Sequence, residues 1–446
     1  MRGAYSSAAW LVGMCGIAAM LALGSAESRA QTPPADGIHL GVASCAGSTC
    51  HGAVQRLKGS SVAQDEYITW SRKDKHAKAY SILLEDQSIR IARNLGLPDA
   101  KSAQVCLDCH ADNVPEAKRG RQFQISDGVG CESCHGGAET WLGPHIAGSN
   151  HRTNLAAGLF PTENPVARAE KCLSCHFGDD KRVMTHKIMG AGHPQLTFEL
   201  DTFTALEPAH FHVDKTYIER KGVVNDVQVW AVGQAMSLVK FTDAVLDPKN
   251  APKGIVPELY LFDCQACHHG LTQVQWEPRS STGLPPGMPR LYDANAVMLR
   301  IIAARIAPDA AKSLSEHVLA MHKASAESWS DVQREAGEVR KAAQELVPVL
   351  SQHEFTKEDM TALAQGLVAM GVSGDDLDYA GAEQATMALS AISTAMKGLG
   401  DIGEQQAKGM GDAMKKLYDS VSNNEAYKPA AFVLALKEFQ GTLALR

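Results

Sequence analysis

Residues 128–145 read GVGCESCHGGAETWLGPH. At the centre, Cys131 and Cys134 are separated by two residues, and His135 follows at once. The same C-x-x-C-H spacing returns three times, at Cys106–Cys109–His110 (CLDCH), Cys172–Cys175–His176 (CLSCH) and Cys264–Cys267–His268 (CQACH). One more pair, Cys45 and Cys50 in CAGSTCH, is stretched to four intervening residues and is again followed by histidine, His51. In chain order the first motif is thus Cys45–His51, the second Cys106–His110, the third Cys131–His135, the fourth Cys172–His176 and the fifth Cys264–His268. The chain has 446 residues and 11 cysteines. Apart from Cys15, every cysteine belongs to one of these pairs.

Two thiols followed by a histidine suit one chemistry above others. The thiols add across the two vinyl groups of a haem, and the adjacent imidazole lies under the iron. Zinc ribbons also use C-x-x-C pairs but need no histidine after each pair. A disulfide framework in an exported chain needs none either. Five repetitions of the histidine by chance are negligible, so the sequence predicts five covalently bound haem c groups. A disulfide is the competing reading for Cys45–Cys50, whose longer loop must still bring both sulfurs to one macrocycle.

The chain carries 17 histidines, of which five are these proximal ligands. Two imidazoles on one iron keep it low-spin and six-coordinate, which suits electron transfer; a catalytic iron keeps one face open. His76, His145, His186 and His193 are the favoured second ligands, with His210 or His212 next. His269 cannot reach the iron of His268 but could serve a neighbouring one. His39 and His151 are reserves. His317, His322 and His353 lie on tail segments of helical period and read as ordinary residues. Which histidine serves which iron stays open, as does the presence of an open iron.

Outward from the motifs, residues 1–30 carry Arg2, the apolar run 8–24 and small Ser28 and Ala30, as a cleaved signal peptide does. The run is short for a spanning helix. Cys15 lies within it and would leave with the signal; an uncleaved anchor is the lesser reading. This predicts a periplasmic protein. Residues 31–276 form the expected pentahaem domain, with helices over 79–94, stopped by Gly96, and over 226–246, where Val227, Trp230, Leu238, Phe241 and Val245 make a stripe. Residues 277–290, EPRSSTGLPPGMPR, read as a linker. Residues 291–446 read as helices forming an antiparallel bundle. Asp293 is the expected cap of the first, and TKED from Thr356 is a capping box. Further helices are expected over 376–398, 403–420 and 428–443. The fold class is therefore mainly α, a multihaem core with little regular strand followed by a helical bundle. Aromatic content is only 6%, which leaves room for macrocycles in the core. A net charge of -7 without basic blocks argues against nucleic acid.

The runs WSRKDKHAKAY (70–80), CLDCHAD and GVGCESCHGGAETWLGPH resemble the cytochrome c-554 family, which is related to hydroxylamine oxidoreductase and the octahaem reductases. HKIMGAGHPQLTFELD (186–201) and CQACHHG resemble a multihaem branch of that superfamily. The resemblance, over about 38–280, implies closely packed haems with mostly bis-histidine ligation, and His76 and His145 as distal ligands. The chain departs from it in having five motifs rather than four or eight. It has no C-x-x-C-K site, so the lysine-ligated haem of pentahaem nitrite reductases is absent. The expected function is electron transfer through adjacent haems to redox partner proteins, a membrane quinol oxidase or terminal reductase among them. The alternative is a multihaem oxidoreductase acting on a small nitrogen or sulfur compound at one open haem. Packing or homo-oligomerisation is the default role of the tail.

Overall fold

Short helices ending at the cysteine motifs build the first half of the structure. This computed structural model describes residues 36–446 except 60–61, 223–224, 255, 269–278, 280, 375–377 and 445–446. The signal-peptide reading, with Cys15, Ser28 and Ala30, lies outside the described residues, as do His269 and part of the 277–290 segment. The fold is mainly α, and among the described residues no strand forms. The backbone pairs only at isolated bridges, His39 with Arg119, Gly178 with Val183 and Phe262 with Leu291.

Three motifs sit at the C-terminal ends of helices, Gln104–His110, Cys131–His135 and Pro165–His176. Helical geometry explains their spacing. Residues three and four apart share a face, so both thiols and the imidazole of C-x-x-C-H point the same way. Asn164 caps the third of these helices by accepting from Val166 and Ala167, and Pro165 occupies its first turn. The stretched motif closes by a different route, with His51 N–H donating to Cys45 O at 3.1 Å and Gly52 N–H to Gly47 O at 2.9 Å. A Cβ on Gly52 would lie 1.9 Å from Ala46 O, so only glycine lets that loop fold back on itself.

The expected helix over 79–94 is broken in two, Ala79–Ile82 and Asp86–Leu95, and Gly96 ends the second in the left-handed conformation at φ 74°. Buried apolar residues are sparse here and many are alanines, with small clusters around Leu83, Ala92 and Leu107 and around Ala169, Leu173 and Leu200.

The large core lies further along the chain. It runs without interruption from Val227 to Phe439. Helix Asp226–Leu246 is at its centre, capped by Asn225. The stripe Val227, Trp230, Leu238, Phe241 and Val245 is buried, as its spacing predicts. The helix is buried nearly all round, Val229, Val232 and Gln234 included. The reason is that Pro165–His176 covers one side while Ala294–Ile306, Trp329–Gln352 and Tyr379–Gly398 cover the others. Successive tail helices Pro308–Ala324 and Trp329–Gln352 pack together, as do Glu404–Ser420 and Pro429–Thr442, which fits the expected bundle.

Thr356 and Asp359 form the expected capping box. Asp293 does not cap its helix. Its carboxylate is drawn instead to Arg279 and His322.

Candidate haem sites

Each motif histidine faces one other imidazole. His51 stacks against His145 with ring centroids 5.9 Å apart, and His186 against His268 at 6.1 Å. His176 meets His76 at 6.1 Å, His110 meets His193 at 6.2 Å and His135 meets His210 at 6.4 Å. Two imidazoles bound to opposite faces of one metal, each through a bond of about 2 Å with the ring centre about 1.1 Å beyond, have centroids about 6.2 Å apart. All five separations lie near that value, which also falls within the roughly 4.5–7 Å span of ordinary ring contacts. What sets these pairs apart is that every one of the five motif histidines has such an imidazole partner. The residues present therefore fit five irons, each between a motif histidine and one of His76, His145, His186, His193 and His210.

Four of the ten rings are held through Nδ1. His51 Nδ1–H donates to Glu66 Oε2 at 2.9 Å and His76 Nδ1–H to Asp74 Oδ1 at 3.0 Å. His110 Nδ1–H donates to Ala79 O at 3.0 Å and His193 Nδ1–H to Pro194 O at 2.8 Å. These acceptors carry no proton, so the tautomer is fixed and Nε2 keeps its lone pair for a metal. Glu66 and Asp74 raise the pKa of the imidazoles that they bind. Burial acts the other way on His135 and His176, pushing them down to about 3 and about 4 and keeping them neutral, the form that binds iron.

The other histidines have different partners. His39 is 3% exposed and lies between Asp112 at 2.7 Å and Asp36 at 3.0 Å, so both of its nitrogens are engaged. Burial alone would depress its pKa, but the two carboxylates outweigh burial and raise it to about 9. His151 bonds Glu163 at 2.6 Å, His317 bonds Glu335 at 2.9 Å and His353 bonds Asp359 at 3.0 Å. His212 is exposed.

All ten described cysteines are free of disulfides. Among the described residues, the one cluster of three or more potential metal ligands is Asp74, His76 and Glu207, which contains no cysteine. Thiols of different motifs approach each other instead. Cys45 lies beside Cys131, and Cys109 beside Cys175. Cys134 and Cys172 are close enough to interact electrostatically. A cavity is lined by Leu173 and His176 of the fourth motif and by Cys264 of the fifth.

Sequence reasoning missed the groups that hold these sites. Glu132, inside CESCH and 3% exposed, accepts from Leu40, Gly41 and Ala138 N–H, each at 2.7 Å, and so fastens the N-terminal segment to the motif. Arg182 Nε–H donates to Asp108 O at 2.8 Å and links the second motif to the loop after the fourth. Asp74 stands two residues before His76, a spacing that could have been noticed. Nothing local marks Glu66 or Glu132.

Residues 44–136, which span the first three motifs, match the family described as cytochrome c554 and c-prime. No curated protein and no solved structure matches the chain. The family match is consistent with a c-type cytochrome of that family, binding haem c covalently and working in electron transfer. None of the described helices is long and apolar enough to cross a membrane.

Proposed function

We propose that the chain is a pentahaem c-type cytochrome that carries electrons through five bis-histidine haems. One observation carries this reading: five motif histidines each face a second imidazole at 5.9–6.4 Å. The thiols of each motif would hold a haem through its vinyl groups, and the iron would supply a one-electron couple. The chain's own residues orient four of the ten imidazoles and set their basicity, through Glu66 at His51, Asp74 at His76 and backbone carbonyls at His110 and His193. With a second imidazole for every motif, the reading has no iron left open, and this favours the carrier over the oxidoreductase.

The close approaches between motifs suggest a connected relay. The first motif adjoins the third, the third the fourth, and the fourth the second and fifth. We read the chain as exported to the periplasm by its first 30 residues. Its partners on this reading are redox proteins, a membrane quinol oxidase or terminal reductase among them, with the tail helices as a further contact for a second copy.

Intact mass and reduced-minus-oxidised spectra test the proposal. The expected result is five haems, low-spin in both states, with no immediate binding of cyanide or nitric oxide. Four haems, a substantial high-spin component, or steady turnover of hydroxylamine, nitrite or tetrathionate would overturn it.

A further inference from the structure

We propose that the helices after residue 290 complete the fifth haem site, holding the Cys264–His268 turn and walling the cavity beside it. This rests on the five-haem reading above.

The turn is tied to the start of the tail by its backbone. Phe262 and Leu291 form an antiparallel bridge. Asp263 N–H donates to Arg290 O at 3.1 Å and Tyr292 N–H to Leu261 O at 2.9 Å. Side chains then carry the connection deeper. The Asp263 carboxylate caps the turn by accepting from Ala266 N–H at 3.1 Å, and it also pairs with Arg290 at 2.7 Å. Arg290 pairs with Asp378 at 2.7 Å, and Asp378 caps helix Tyr379–Gly398 through Gly381 N–H at 2.8 Å. Within the motif itself, the Gln265 amide donates to Asn424 Oδ1 at 2.9 Å and accepts from Tyr379 N–H at 2.8 Å. Two tail segments far apart in sequence thus converge on one haem-attachment loop. The cavity lined by Leu173 and His176 of the fourth motif and Cys264 of the fifth is also lined by Tyr292 and Asn295.

Burying this many charges is a poor route to stability alone, because desolvation offsets the ion-pair attraction. What such a network does well is fix one arrangement. Here the thing fixed is the position of the Cys264 turn against the fourth motif. Among the described residues, the fourth motif's helix packs against Trp329–Gln352, but no hydrogen bond or ion pair joins any of the other four motifs to a residue beyond 290.

The test uses the full-length holoprotein with Asp378→Ala and, as a milder change, Asn424→Ala. Each is followed by a spectroelectrochemical titration resolved into individual haems, with spin state read in parallel. The exposed pair Lys416–Glu438 provides a control, Lys416→Ala. The expected result is that one haem of five shifts its midpoint or turns partly high-spin in D378A, the same haem moves less in N424A, and none moves in K416A. Five unmoved haems in D378A, or five moving together, would overturn the proposal. Intact mass of the wild-type chain counts haems independently. A missing fifth haem therefore speaks against the haem reading, and an unmoved fifth haem against the role of the tail.

Discussion

Asp74→Asn should raise the reduction potential of one haem, the one held between His176 and His76. Asp74 is 5% exposed and accepts twice from His76, from the backbone N–H at 2.9 Å and from Nδ1–H at 3.0 Å. Asparagine keeps the size and one acceptor oxygen but removes the charge. A hydrogen bond to a charged group contributes about 1.5–3 kcal/mol and a neutral one about 0.5–1.5, so the change is worth roughly 1 kcal/mol. The imidazole N–H of a ferric haem is the more acidic, so the charged acceptor favours the oxidised state. For a one-electron couple, about 1.4 kcal/mol corresponds to 59 mV, which gives an upward shift of roughly 40 mV if the whole difference falls on one oxidation state. His76 is 38% exposed, so solvent screening makes that an upper bound. The assay is a potentiometric titration followed in the α band. A downward shift, no shift beyond about 10 mV, or equal shifts in all five haems would refute the reasoning that the carboxylate acts through its own imidazole.

Other outcomes follow from the same contacts. Glu66→Gln should raise the potential of the His51–His145 haem in the same direction, measured in the same titration. His193→Ala should open the second haem alone, converting one iron in five to a high-spin form that binds carbon monoxide, while its absorbance change stays about one-fifth of the total. Replacing Cys45 and Cys50 together by serine should lower the intact mass by one haem and leave four; an unchanged mass would assign that pair to a disulfide instead. His39 predicts a pH dependence. With its folded pKa raised to about 9 from 6.5, it contributes roughly 3 kcal/mol that is fully present below about pH 6.5 and lost as pH rises through about 9. The thermal unfolding midpoint should therefore fall as pH rises across that window, and His39→Gln should flatten the profile.

The covalent chemistry was legible because it is local. C-x-x-C-H places three side chains on one helical turn, and the pattern can be read without knowing the fold. The TKED box at Thr356 and the stop at Gly96 were legible for the same reason. The histidines that face the motifs were suggested by density along the chain, but their pairing joins distant segments, such as His51 with His145 and His110 with His193, and no periodicity encodes it. The stripe of helix Asp226–Leu246 was legible, but not the burial of its other faces, because one covering surface, Pro165–His176, lies in a distant cysteine-motif segment. Asp293 looked like a cap because serine, threonine and aspartate before an apolar run usually are. Arg279 and His322 claim its carboxylate, and neither is a sequence neighbour. Glu132 and Asp263 were hidden in or beside motifs whose cysteines drew the attention.

The central claim is that every iron has two imidazoles. The most direct measurement is the Mössbauer spectrum of the oxidised protein, with iron counted per chain. The account predicts five irons per chain, all low-spin ferric with the parameters of bis-imidazole ligation. A high-spin component amounting to one-fifth of the iron, or fewer than five irons per chain, would contradict it.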